Sequence, residues 1–186
     1  STTIHSPYTS ELKLAEGIIK TEINAIDSFD LKIQMNNPGY GKLIPFKTLI
    51  SVFNTKTGKM EFNGRVLSPS DNMGNNGLIT ASYQCEGELG YLHDSQQRHL
   101  EFRGTPTELL TSILDYHNSQ VEDYKKFYVG TVTVTDPNDF MYLYLSAEQD
   151  TFDTIKDKLV NKLGGELQIC KVDGVRYLDY LTKVGE

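Results

Sequence analysis

A period-two alternation of apolar and polar residues, cut repeatedly by turn formers, is the feature that most limits what this chain can fold into. It is cleanest over residues 29–35, Phe-Asp-Leu-Lys-Ile-Gln-Met, where every second side chain is apolar. Successive side chains of a strand point to opposite faces, so this pattern belongs to a strand with one face buried and one wet. Residues 22–27 carry a weaker version of the same alternation. The run Asn36-Asn-Pro-Gly-Tyr-Gly41 then concentrates residues that favour turns. Strands are expected at 49–53 and 60–67, flanking Asn54-Thr-Lys-Thr-Gly58, which reads as a hairpin loop with Gly58 left-handed. Residues 68–77 read as a polar Gly/Asn loop, followed by a strand from Leu78 to about Cys85. Short strands at this spacing predict an antiparallel sandwich or barrel.

The periodicity then changes. Thr105-Pro-Thr-Glu108 supplies an N-cap, Pro at the first helical position and Glu three residues after the cap. Leu109, Leu110, Ile113, Leu114 and His117 recur at helical spacing behind it, predicting about three turns of helix. Residues 127–134 and 140–145 read as strands. Asp150 or Thr151 caps a second helix with Phe152, Ile155, Leu159, Val160 and Leu163 on one face, and Gly164 ends it. Strands at 167–172 and 175–181 meet at Asp173-Gly174, a two-residue hairpin signal. The fold class expected is therefore α+β: an antiparallel β-barrel-like domain, 1–104, followed by a small α+β lobe with a helix and β-hairpin, 105–186, the boundary falling near 92–105.

Charge narrows the partners. The chain of 186 residues has a net charge of −7. Residues 1–93 hold 8 Lys and Arg against 9 Asp and Glu, whereas residues 94–186 hold 10 against 16. A nucleic-acid grip needs a basic face to neutralise phosphates, so sequence-specific nucleic-acid binding is not expected. No apolar run approaches the ~20 residues needed to span a bilayer, so this segment is not expected to insert in a membrane. The N-terminus has neither the basic nor the apolar region of a secretion signal. It also lacks Met, which predicts a processed or shortened chain with residues missing at either end. Cys85 and Cys170 sit in strand-like stretches and are expected to be reduced core residues.

Residue types that carry chemistry do not fall into catalytic patterns. His93 and His99 are six apart, off one helix face and outside any His-Glu-x-x-His arrangement. His117 at a helix C-terminus is favoured there if protonated, and can cap carbonyls. There is no Gly-x-Ser-x-Gly, and Cys85 is followed by Glu86 and Glu88, the wrong setting for a thiolate. Glu86/Glu88 and Asp150/Asp153 are carboxylate pairs of the kind glycoside cleavage uses, and an acidic chain produces such pairs by chance. Gly74-Asn-Asn-Gly77 lacks the Lys-Ser/Thr of a phosphate loop. No catalytic, cofactor-binding or metal-ligating residue is assigned, and no cofactor is expected. Tyr is the more informative type, with 11 copies against no Trp. Tyr83, Tyr91, Tyr128, Tyr142, Tyr144, Tyr177 and Tyr180 lie in or beside expected strands, as half-buried sheet residues or as interface residues.

A longer succession of motifs carries a resemblance. It runs Phe62-Asn-Gly-Arg-Val66, Tyr83-Gln-Cys-Glu-Gly-Glu-Leu-Gly-Tyr-Leu-His-Asp94, Gly104-Thr-Pro-Thr-Glu-Leu-Leu110, Ile113-Leu-Asp-Tyr-His-Asn-Ser-Gln-Val121 and Tyr128-Val-Gly-Thr-Val132, with Leu178-Asp-Tyr-Leu181 further on. In order and spacing this resembles the N-terminal half of the phage tail-associated hub proteins, the prophage endopeptidase tail family. The resemblance implies a structural part of a baseplate hub at the virion tail tip, assembled in the bacterial host cytoplasm. It implies a homotrimeric ring for tail assembly and DNA passage, with distal tail and tape-measure proteins as partners. It also implies no enzyme activity in these residues, any hydrolase lying in a C-terminal segment beyond them. The alternatives are a cell-wall-directed endopeptidase or peptidoglycan hydrolase, and a host-surface binding module using its Tyr patches.

Overall fold

The computed structural model describes residues 1–73, 79–138 and 140–185. The fold is α+β. It divides into two compact units, Ser1–Glu88 and Leu89–Glu186.

The first unit is one curled, half-barrel antiparallel sheet. Its strands are β1 (Glu16–Lys20), β2 (Ser28–Gln34), β3 (Leu49–Phe53), β4 (Met60–Met73) and β5 (Ile79–Gly87), in the spatial order β1-β2-β5-β4-β3. The alternation that defined β2 decides which face is buried: Phe29, Leu31 and Ile33 point inward, and Asp30 and Lys32 between them do not. Ile50, Phe62, Val66, Tyr83 and Cys85 complete this core, with Phe29 and Phe62 ring centroids 5.5 Å apart. β3 and β4 join through the expected turn, in which Gly58 has φ +70° and its N–H donates to the Asn54 carbonyl at 2.7 Å.

Two expectations for this unit need correction. Residues 22–27 are not a strand; they form a turn in which the Ala25 N–H donates to the Glu22 carbonyl and Asn24 has φ +58°. The strand lies earlier, at β1, whose Ile18 is exposed; an edge strand with little burial has no alternation to read. Residues 68–73 are not loop but the end of β4, in register with β5 from Ser68↔Gln84 to Met73↔Ile79. Ladder pairing overrides polar composition there, after a bulge between Val66 and Ser68. Residues 74–77 of that expected loop, and Leu78, lie outside the described residues.

The second unit holds β6 (Leu100–Gly104), α1 (Pro106–Asn118), β7 (Tyr128–Val132), β8 (Met141–Leu145), α2 (Thr151–Ile155), α3 (Asn161–Leu163), β9 (Glu166–Val172) and β10 (Val175–Leu181). β10 pairs antiparallel with β9 and parallel with β7, while β6 and β8 form a separate antiparallel pair. α1 starts as the sequence dictates. The Thr105 hydroxyl accepts from the Glu108 N–H, and the Glu108 carboxylate accepts from the Thr105 N–H at 2.8 Å. Leu109, Leu110, Ile113, Leu114 and His117 are all buried. Asp150 caps α2, and a π-turn, Lys156–Val160, joins α2 to α3. The extra residue in that turn rotates the apolar face, so Phe152, Ile155 and Leu159 are buried while Val160 and Leu163 are half-buried. Gly164 ends the run at φ +74°, and its carbonyl accepts from the buried Tyr180 hydroxyl at 2.6 Å. Asp173 and Gly174 both have positive φ, as the two-residue turn between β9 and β10 requires. A 3-10 segment, Glu88–Asp94, and strand β6 are elements the periodicity did not mark.

Candidate functional site

Several residues of the types most often used in catalysis are held in structural roles. Cys85 is fully buried on β5, and desolvation, reinforced by Asp30, pushes its thiol up to about 12, far from a usable thiolate. Cys170 is exposed, so the expectation of two core cysteines holds for Cys85 alone. Its position on β9, where only Leu167 is buried, explains the difference. Glu86 is paired with the buried Arg65 at 2.6 Å, and Glu88 accepts from the Asn63 amide at 2.9 Å. Each carboxylate is committed to a neighbour on β4.

His117 sits at the centre of a buried polar network. Its Nδ1 lies 2.6 Å from Ser95 Oγ, which is also 2.6 Å from Thr151 Oγ1, and the Gln97 amide donates to Thr151 Oγ1 at 2.8 Å. Its Nε2 faces the Lys125 carbonyl at 3.1 Å, so Nε2 carries the proton and Nδ1 accepts from Ser95. Burial is the main cause of a lowered pKa, opposed by the Lys125 carbonyl and Asp94. The ring does not cap the carbonyls of its own helix, as its sequence position suggested, but that of Lys125 in the following turn. A serine hydrogen-bonded to a histidine resembles a nucleophilic pair, yet both residues are shut off from solvent: Ser95 is 3% exposed and His117 0%. The network ties α1, the segment before β6 and the start of α2 together.

His93 is not brought to His99, which is exposed. Its partner is Asp150, 57 residues away, whose Oδ2 lies 2.8 Å from His93 Nδ1. Asp150 Oδ1 accepts from the Asp153 N–H, and the ligand atoms of His93, Asp150 and Asp153 all lie within 4.8 Å of one another. The carboxylate pair Asp150/Asp153 noted in the sequence is thus joined by an imidazole that sequence spacing had compared only with His99.

The tyrosines divide into two sets. Tyr83, Tyr91 and Tyr180 are core residues. Tyr128, Tyr142 and Tyr144 are exposed, and Tyr177 is half-buried with its ring 6.2 Å from that of Tyr128. Tyr142 and Tyr144 share the outer face of β8, because Met141, Leu143 and Leu145 fill the inner one. Their hydroxyls are 2.6 Å apart, and Arg103 of β6 stacks 4.7 Å over the Tyr142 ring while bonding Glu101. Tyr and Arg together on an exposed face are what protein interfaces enrich. The part played by Arg103 was not visible in the sequence, since only the β6–β8 register, Arg103↔Tyr142, brings it there. In the first unit, among the described residues, the sheet ends in two unpaired edges, β1 and β3, and β3 exposes Leu49 and Phe53. Unpaired edges are surfaces on which another strand can dock.

No family model and no curated protein matches the chain by sequence. By fold the chain is similar to solved structures, among them the following three. One is prophage tail protein gp18 from Listeria monocytogenes EGD-e, with a TM-score of 0.51, 15% identity and 89% of this chain covered against 43% of that one. Another is the E. coli c3393 protein, a type VI secretion system component described as structurally similar to the T4 bacteriophage tail proteins gp27 and gp5. It has a TM-score of 0.54 and 10% identity, covering 90% of this chain and 48% of that one. The 43 kDa tail protein of prophage MuSo2 from Shewanella oneidensis has a TM-score of 0.50 and 16% identity, covering 84% and 46%. The chain therefore spans less than half the length of each. At such identities the likeness is one of fold.

Proposed function

We propose that this chain is a structural component of a phage tail, forming part of a homotrimeric baseplate hub ring at the tail tip. The observation that carries this reading is the extent of the match. Two prophage tail proteins and a type VI secretion component described as similar to phage tail proteins follow this chain over 84–90% of its length with identities of 10–16%, so the likeness covers both units and not a common motif. The curled sheet supports it further. A half-barrel with free edges at β1 and β3 is an incomplete object, and head-to-tail contacts between copies around a ring would cover both edges. The barrel-like part, 1–104, would form the ring wall, and 105–186 an α+β domain continued in the full-length protein.

DNA passage follows from charge. The acidic second half of the sequence repels phosphate, and a lumen lined by it would let DNA slide without sticking. Distal tail and tape-measure proteins are the partners this role requires, with assembly in the host cytoplasm. The role is not enzymatic, and the commitments of Cys85, Glu86, Glu88 and His117 to internal partners support that. Light scattering on the full-length protein tests the reading. A mass of three copies is the expected result, and a strict monomer at high concentration would overturn it.

A further inference from the structure

We propose that His93, Asp150 and Asp153 form a binding site for a divalent transition-metal ion of the Zn²⁺ type, which clips the 3-10 turn to the start of α2. Three observations converge. The first is the donor set, one imidazole and two carboxylates whose ligand atoms all lie within 4.8 Å of one another. A tetrahedral Zn²⁺ site holds neighbouring donor atoms about 3.4 Å apart, given metal–ligand distances of about 2.0–2.2 Å, so side-chain rotation closes the set. A nitrogen donor beside two carboxylates favours Zn²⁺, Co²⁺ or Mn²⁺ over Ca²⁺ or Mg²⁺, which prefer all-oxygen shells.

The second is that the donors are held in place before any ion arrives. Segment 95–97 is zipped to 149–151 by the Gln96↔Asp150 bridge, the Gln97 N–H to the Gln149 carbonyl and the Thr151 N–H to the Ser95 carbonyl. This fixes His93 relative to Asp150 across 57 residues of sequence. The His93 ring rests edge-on against Phe152 at 5.0 Å, and Asp150 Oδ1 is pinned by the Asp153 N–H. Asp150 Oδ2 and His93 Nδ1 therefore converge on one point, with the other Asp150 oxygen already held by the Asp153 N–H.

The third is the charge at that point. Two carboxylates converge there, and the His93 imidazole lies within ion-pair distance of Asp150. A single imidazole, when protonated, offsets one of the two negative charges. A divalent ion offsets both and takes the imidazole as a neutral ligand. The His93 side chain is 38% exposed, so an ion reaches the site from solvent and retains water in its remaining position. The role is that of a staple, holding the 3-10 turn against the start of α2.

The test uses ZnCl₂ alone, titrated calorimetrically into the chain carrying Cys170→Ser so that the exposed thiol does not compete. One equivalent should bind, and the melting temperature should rise by roughly 5 °C or more at a hundredfold excess over Kd. His93→Ala and Asp153→Asn should each weaken binding at least tenfold, while His99→Ala leaves it unchanged. Asp153→Asn keeps the backbone N–H that Asp150 uses, so it remains informative should His93→Ala loosen the turn. Mn²⁺ should broaden the NMR signals of residues 93 and 150–153 first. Absence of Zn²⁺ binding, or binding that survives both variants, overturns the proposal.

Discussion

Gly64→Ala offers the sharpest test of how the first sheet is built. Gly64 stands opposite Gly87 in the β4–β5 ladder, within the segment Phe62-Asn-Gly-Arg-Val66. A Cβ at this position would lie 1.9 Å from the Glu86 carbonyl oxygen and 2.8 Å from its carbon, both backbone atoms. Ordinary contact begins near 3.4 Å, so β4 and β5 would have to part locally by more than an ångström. Overpacking of this sort costs about 1–3 kcal/mol, and each ladder hydrogen bond lost adds about 1 kcal/mol. The gain from stiffening the unfolded chain offsets only about 0.4–1 kcal/mol. The net expectation is a loss of about 3 kcal/mol, accompanied by loosening of the adjacent Arg65–Glu86 pair. Gly58→Ala is the control, since nothing lies within 4 Å of its added Cβ and its cost, about 1–2 kcal/mol, comes from φ +70° alone. Hydrogen exchange of the β4 and β5 amides reads both variants within the first unit. A Gly64→Ala protein within 0.5 kcal/mol of the parent would refute the close backbone approach on which the argument rests.

The His117 network makes the second unit sensitive to acid. Its folded pKa is depressed below the ordinary 6.5, so the unfolded chain takes up the proton more readily. The stability this provides is complete above about pH 6.5 and falls as the pH drops below that value; urea midpoints at pH 8 and pH 5.5 should differ, and His117→Gln should flatten this part of the profile. Thr105→Ala removes the capping-box hydroxyl and should cost about 1 kcal/mol, read as a lower urea midpoint for the second unit. In thiol labelling, Cys170 should react within the dead time and Cys85 only on unfolding, since the latter is fully buried with its pKa raised to about 12; fast reaction of two thiols in the native protein would contradict the packing of β5.

What was legible in the sequence follows from where the physical signal is local. β2 declared itself because one of its faces is buried, and α1 because Thr105, Pro106 and Glu108 write its start into four residues. The β9–β10 hairpin was legible for the same reason, through Asp173 and Gly174. β1 was not, because an edge strand with an exposed Ile18 has no buried face to enforce a pattern. The polar residues 68–73 join β4 through partners on β5, a non-local cause that composition cannot show. The gathered groups are non-local too. His93 finds Asp150 across 57 residues, and Ser95 finds Thr151 across 56. Sequence spacing compared His93 with His99, its neighbour in the chain, and so missed the partner that the fold supplies.

Electron microscopy of the full-length protein measures the central claim most directly. Class averages should show a threefold ring with an open centre. Compact monomers or dimers without a central opening would contradict the assignment of this chain to a tail hub ring.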